Sequence, residues 1–278
     1  MAIPALPMTP ALARRLCGRP LVLLLDVDGT LAPIAPRPEY AVVPLETRAV
    51  LTELTALPFA HVILVSGRAA DDARRLVGVD DLWVIGNHGF EIARPNEPPT
   101  SDDRVQPYLD SVAAAVERSR AIAQTDPGII VEDKRSTLSV HYRLAHPRVV
   151  PELTASVENV ARELGLRVTF GKEVLELRPP VDVDKGTASV ALANELGALR
   201  SGASLLCAGD DRTDEDAFRA LRAAQPACVT VRVGAVTNET AQNADLMTLA
   251  EFRVADTDEM RELLGAVLSL QRNGTAAQ

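Results

Sequence analysis

The chain has 278 residues, 47% of them hydrophobic and 24% charged, enough apolar material to bury a core and too much for a disordered chain. Its 29 Lys and Arg stand against 38 Asp and Glu, a formal charge of −9, the wrong balance for a nucleic-acid partner. Three cysteines cannot all pair, and Cys207 sits in an apolar run, so reduced thiols in a cytosol are expected.

Short apolar runs at residues 21–25, 62–65, 82–85, 204–208 and 228–233 read as strands. Most are rich in Val, Leu and Ile with little alternation, as in a parallel sheet covered on both faces. Helical patterns at 45–57, 69–77 and 187–199 fall between them, which gives an α/β core. The middle of the chain changes character after a Pro-rich loop at 93–101. A helical stretch at 105–124 leads to extended runs at 129–132 and 138–142, then a helix at 151–164 leads to runs at 166–170 and 174–177. Leu138, Val140 and Tyr142 alternate with Ser139 and His141, the pattern of half-exposed antiparallel strands. An α+β module of order α-β-β-α-β-β, about 80 residues and so of independent domain size, is therefore inserted in the core. The expected division is 1–92 with 182–278 as core and 93–181 as insertion. The tail from Gln271 is expected to fray. No apolar stretch reaches the roughly 18 residues of a membrane span, and Asp26 and Asp28 break the run that a signal peptide would need after Arg14-Arg15. The chain reads as cytoplasmic, with no membrane contact and no obligatory protein partner inferred.

The chemistry-bearing residues cluster at strand ends, where ligands bind in open α/β sheets. Asp26-Val27-Asp28-Gly29-Thr30 follows the first strand. Two acids one residue apart repel unless a cation relieves them, Gly29 permits a tight turn, and Thr30 adds a hydroxyl. An Asp-Gly turn is the ordinary alternative. Ser66-Gly67-Arg68 follows the second strand and leads into a helix, an anion site, or simply Ser66 as an N-cap. Lys185 precedes the helix at 187–199, where an ammonium can neutralise a phosphate oxygen or orient a carboxylate, although a lone Lys is more often solvated. Gly209-Asp210-Asp211-Arg212-Thr213-Asp214-Glu215-Asp216 follows the strand at 204–208. So many acids suit a hard cation such as Mg²⁺, with Asp210 the metal candidate. If Thr213 is an N-cap, the later acids are explained by the helix start alone.

In this order the four motifs resemble the haloacid dehalogenase superfamily of phosphatases, which implies a Rossmann-like core with a parallel sheet, an inserted cap, and Mg²⁺ as cofactor. The resemblance makes Asp26 the nucleophile that accepts the phosphoryl group and Asp28 the general acid and base. It assigns the metal to Asp26, the backbone carbonyl of Asp28, and Asp210, with Asp214 added from the acidic string. Thr30, Ser66, Gly67 and Arg68 would bind phosphate, and Lys185 would complete the catalytic set.

The insertion carries Glu132, Lys134, Arg143, Lys172 and Glu176, carboxylates and cations suited to sugar hydroxyls but equally to ordinary surface charge. With Val131-Glu132-Asp133-Lys134, His141-Tyr142-Arg143, Gly171-Lys172 and Gly86-Asn87-His88-Gly89-Phe90-Glu91-Ile92 added, the resemblance narrows to trehalose-6-phosphate phosphatases. It implies that those five residues grip the disaccharide of trehalose 6-phosphate. His88 is a candidate lining residue or a histidine that satisfies its own turn. Three alternatives stay open: a phosphatase of another sugar phosphate or pseudo-disaccharide phosphate, a sugar-phosphate mutase, and a binding module that kept the fold. The intact Asp26, Asp28, Lys185 and Asp210 weigh against the last.

Overall fold

The computed structural model describes residues 8–171, 173–234 and 248–275. It forms two compact units, one from the residues before Ser101 and from Val183 onward, the other Ser101–Asp182.

The first unit opens with a helix that the apolar pattern does not reveal, α1 (Pro10–Leu16), capped by the Thr9 hydroxyl, which accepts from the Leu12 N–H. There follow β1 (Leu21–Leu25), α2 (Leu45–Thr55), β2 (Ala60–Val65), α3 (Ala70–Val77), β3 (Trp83–Gly86), β4 (Glu91–Ala93) and the short β5 (Thr100–Ser101). In the second unit a 3-10 segment at Asp103–Tyr108 leads to α4 (Leu109–Ala123). Pro107, which has no N–H to donate, divides what the sequence presents as one helix. Then come β6 (Ile130–Asp133), β7 (Leu138–His141), α5 (Val150–Glu163), β8 (Arg167–Gly171) and β9 (Val174–Arg178). The chain returns to the first unit through α6 (Lys185–Glu195), β10 (Ser204–Gly209), α7 (Arg212–Ala224), β11 (Val229–Val233), β12 (Phe252–Val254) and α8 (Thr257–Thr275).

The large sheet has eight strands in the order β12-β11-β10-β1-β2-β3-β4-β5. It is parallel from β12 to β3 and turns antiparallel at β4. Leu21, Leu23 and Leu25 of β1 pack on one face against Leu16 of α1, Leu51 and Leu54 of α2, Val77 of α3 and Leu264 of α8. Val22 and Leu24 pack on the other against Leu192 of α6 and Phe218 and Leu221 of α7. This two-faced burial explains why β1 shows no alternation. The second unit has a four-stranded antiparallel sheet, β6-β7-β9-β8. Its apolar face (Leu138, Val140, Leu175, Leu177) packs on Val112 and Val116 of α4 and Val157 and Val160 of α5.

Three expectations need correction. The second unit begins at Ser101 rather than residue 93, because β4 hydrogen-bonds to β3 and β5 extends the same sheet. The helix expected at 187–199 starts at Lys185, since Asp184 caps it, and ends at Glu195 before Gly197, whose φ is 75°. The tail does not fray at Gln271: that side chain is buried and its Nε2 donates to the Leu16 carbonyl at 2.6 Å. Among the described residues no helix is long and apolar enough to cross a membrane. All three cysteines are unpaired, Cys17 exposed and Cys207 and Cys228 buried.

Candidate active site

Register brings the motifs together. β1 lies between β10 and β2, with Leu25 level with Ala208 and Leu64, so the residues after all three strands emerge at one edge. The Asp26 N–H continues the ladder by donating to the Ala208 carbonyl at 3.0 Å. The Val27 carbonyl then accepts from both Leu31 and Ala32 at 2.9 Å, closing a tight turn. Gly29 sits in it at φ 86°, where a Cβ would lie 2.2 Å from Asp210 Oδ2. A side chain at 29 is thus excluded twice, by conformation and by contact.

Lys185, the first residue of α6, is buried and donates from Nζ to Asp26 Oδ1 and Asp214 Oδ1, each at 2.8 Å. Asp214 in turn accepts on Oδ2 from the N–H groups of Asp210 and Asp211 at 3.0 Å. It is therefore no exposed acid of a helix start but the buried centre of the cluster. The N-cap of α7 is Asp211 rather than Thr213: its Oδ1 accepts from the N–H of Thr213 and of Asp214. Carboxylate oxygens of Asp26, Asp210 and Asp214 lie within 4.8 Å of one another.

Electrostatics follow from three acids sharing one ammonium out of water. Burial pushes the Asp26 carboxyl well above its ordinary range, against the pull of Lys185. Burial, then Asp214 and Asp211, raise Asp210 to about 7. Burial raises Asp214 to about 6, partly offset by Lys185. Asp211 goes the other way: burial raises it, but Lys185 and the bonds from Thr213 and Asp214 outweigh that and hold it low. Burial would strip Lys185 of its proton, but Asp214 and Asp26 hold it in place. The surplus of negative charge and the all-oxygen donor set fit a hard divalent cation. Nearby on the same loop, Thr30 is buried and its hydroxyl has no hydrogen-bond partner in the structure, as a ligand-facing donor would be before its ligand arrives.

Asp28 brings no side chain to this cluster. Arg68 forks onto it, Nε to Oδ2 at 2.7 Å and Nη2 to Oδ1 at 2.8 Å. The same guanidinium donates to Asp72 Oδ2 and to the Pro38 carbonyl, each at 2.9 Å. Arg68, expected at the phosphate, gives its side-chain N–H groups to Asp28, Asp72 and the Pro38 carbonyl. Ser66 is buried after β2 and caps no helix: α3 starts later, its N-cap Ala69 has no side-chain bond, and Glu91 Oε2 accepts from the Ala70 N–H at 2.8 Å. The His88 ring lies over Gly67, where a Cβ would meet Cε1 at 2.5 Å, and the His88 N–H donates to the Ser66 carbonyl at 3.0 Å.

The second unit has its own polar cluster. Lys134 is buried, with Nζ 3.8 Å from Glu132 Oε2 and 3.6 Å from Glu176 Oε1. Glu176 also accepts from Ser139 and pairs with Arg178. His141 Nε2 lies 2.9 Å from Glu132 Oε2. Arg143 stands apart in the turn after β7, paired with Glu173 at 2.8 Å, and Lys172 lies outside the described residues. His141 enters the sequence reading only in the strand's alternation and within His141-Tyr142-Arg143, with no role of its own, and Arg178 escapes a reading by motif. Strand periodicity does carry a signal for Arg178, two residues from Glu176, whereas Glu91 meets Ala70 across 21 residues with no local cue.

A trehalose-phosphatase family model matches residues 24–252. The chain belongs to the trehalose-phosphatase family. This family member is 39% identical over 208 residues to the trehalose-phosphate phosphatase of Mycobacterium avium, covering 74% of this chain and 53% of the relative. It is 38% identical over 221 residues to an uncharacterized glycosyl hydrolase of Mycobacterium tuberculosis, 78% of this chain but 16% of that one. The crystal structure of a trehalose-6-phosphate phosphatase related protein superposes with a TM-score of 0.77 at 27% identity, over 91% of this chain and 99% of that one. The trehalose-phosphatase chain thus spans about half the length of the curated phosphatase it matches, and its core has the haloacid dehalogenase fold.

Proposed function

We propose that the chain is a Mg²⁺-dependent phosphatase that hydrolyses trehalose 6-phosphate to trehalose and inorganic phosphate. The observation that carries this reading is the buried ammonium of Lys185 shared by Asp26 and Asp214, with Asp210 beside them, in a chain of this family. Mg²⁺ held by Asp26, Asp210, Asp214 and the backbone carbonyl of Asp28 would neutralise phosphoryl oxygens.

The residues divide the work as follows. Thr30 and Ser66 offer hydroxyls, and Lys185 a charge, to the phosphate oxygens. Lys185 also fixes Asp26, so that its second oxygen attacks phosphorus as the bond to the sugar C6 oxygen breaks. Asp28, once its carboxyl has left the Arg68 fork and holds a proton, gives that proton to the leaving oxygen. It then takes a proton from the water that attacks the aspartyl phosphate, which releases phosphate and regenerates Asp26. Glu132, Lys134, Glu176, Arg143 and Lys172 of the insertion read the sugar hydroxyls.

The test is phosphate release from trehalose 6-phosphate beside glucose 6-phosphate, mannose 6-phosphate and sucrose 6-phosphate, with Mg²⁺ and with EDTA. Release from trehalose 6-phosphate alone, abolished by EDTA, is expected. Release only from another sugar phosphate would overturn the substrate while keeping the chemistry. No release from any would leave the mutase or the binding module.

A further inference from the structure

The polar face of the insertion's sheet is ordered by its register. Glu132, Ser139, Glu176 and Thr169 stand side by side across the four strands, and Ile130, His141, Val174 and Gly171 form the next row. His141 is therefore diagonal to Glu132, close enough for a ring to bridge. Lys134 supplies charge to both Glu132 and Glu176, at 3.8 and 3.6 Å, longer than the His141 contact. The 2.9 Å contact from His141 Nε2 to Glu132 Oε2 aims the first of these carboxylates. A carboxylate only accepts, so Nε2 carries the proton in this pair. Both side chains are partly open to solvent, 24% for His141 and 31% for Glu132. A polar ligand can thus reach the carboxylate while the ring holds it.

We propose that His141 is a positioning residue for sugar recognition, holding the Glu132 carboxylate in the orientation in which it accepts hydrogen bonds from sugar hydroxyls. The inference rests on the reading of the insertion as the part that reads the sugar. It differs from a fold-holding role because the apolar face of the sheet, not this pair, packs on α4 and α5. A carboxylate that loses this bond must be ordered in part by the substrate, and that ordering cost appears in binding rather than in chemistry.

The experiment measures kcat and KM for trehalose 6-phosphate and for p-nitrophenyl phosphate, which lacks the sugar, in full-length wild type, His141→Leu, His141→Gln, Glu132→Gln and the His141→Leu/Glu132→Gln double variant. His141→Leu should raise KM for trehalose 6-phosphate about tenfold, the scale of a hydrogen bond to a charged group, with kcat nearly kept and a less than twofold change on p-nitrophenyl phosphate. His141→Gln, whose amide nitrogen reaches the same place, should recover most of the loss. Adding His141→Leu to Glu132→Gln should cost little more. Wild-type KM in His141→Leu, parallel losses on both substrates, or no rescue by Gln would each overturn the assignment. If the wild type turns over a different sugar phosphate, the same comparison on that sugar decides the role of His141 while the trehalose reading falls. Turnover of no sugar phosphate overturns both.

Discussion

Replacing Lys185 by Met removes the ammonium that, among the described residues, bridges Asp26 and Asp214 inside the carboxylate cluster. Its Nζ lies 2.8 Å from oxygens of both Asp26 and Asp214, and the side chains are 2%, 7% and 4% exposed. Water therefore cannot take over the lost interaction. Breaking a buried pair from one side costs about 3–5 kcal/mol, because the remaining charge stays buried, and here two carboxylates are left. Burial has already pushed both acids upward with Lys185 present, so without it they take up protons and the cost shrinks at lower pH. Urea unfolding in EDTA at pH 7.5 of the wild type, Lys185→Met, Asp214→Asn and the double variant measures this. Lys185→Met should lose about 3–5 kcal/mol, and adding Asp214→Asn should return more than half, since it removes one orphaned charge. Both Lys185→Met proteins should be inactive. A Lys185→Met stability within about 1 kcal/mol of wild type, the value of an exposed pair, would refute the argument, as would a double variant no better than the single.

Asp26→Asn should lower turnover roughly a million-fold, as loss of a covalent nucleophile does, without lowering stability in EDTA, because one of three crowded acids becomes neutral; substantial residual phosphate release would remove Asp26 from that role. Gly29→Ala should cost about 1–3 kcal/mol through its φ of 86° and also weaken Mg²⁺ binding by displacing Asp210; wild-type melting and Mg²⁺ titration curves would contradict this. For Asp210 the sign runs from a folded value of about 7 against 3.8. A raised acid contributes stability below its unfolded value and loses it as pH rises through the folded one. Asp210→Asn in EDTA should therefore gain on the order of 2 kcal/mol more at pH 8 than at pH 5, and denaturation showing an equal gain at both would exclude the strained carboxylate.

The parallel core was legible because burial on both faces leaves an unmistakable trace, five Leu and Val in a row at Leu21–Leu25 with all five buried. The gathering of Asp26, Ser66, Lys185 and Asp210 at one edge of the sheet was legible because each follows a strand or opens a helix. The pairings among them were not. Nothing in Ser66-Gly67-Arg68 says that the guanidinium turns to Asp28, 40 positions away. Nor does the acidic string say which acid turns inward: Asp214 does so because α7 is capped at Asp211, two residues earlier than Thr213. The pairing of His141 with Glu132 was hidden for a plainer reason. A histidine alternating with apolar residues reads as a strand's outer face, and only the register of β6 against β7 sets it beside Glu132.

The cysteines have a practical consequence. Cys207 and Cys228 are buried, and burial pushes the Cys207 thiol well above its ordinary range and the Cys228 thiol to about 12. Neither offers a thiolate to a maleimide, whereas Cys17 is exposed at the end of α1. The insertion contains no cysteine at all. The protein thus supplies one labelling site by nature, and a single added cysteine on the outer face of α4 would complete a donor–acceptor pair spanning core and insertion. Fluorescence transfer could then follow the separation of the two units through substrate addition without disturbing one residue of the carboxylate cluster.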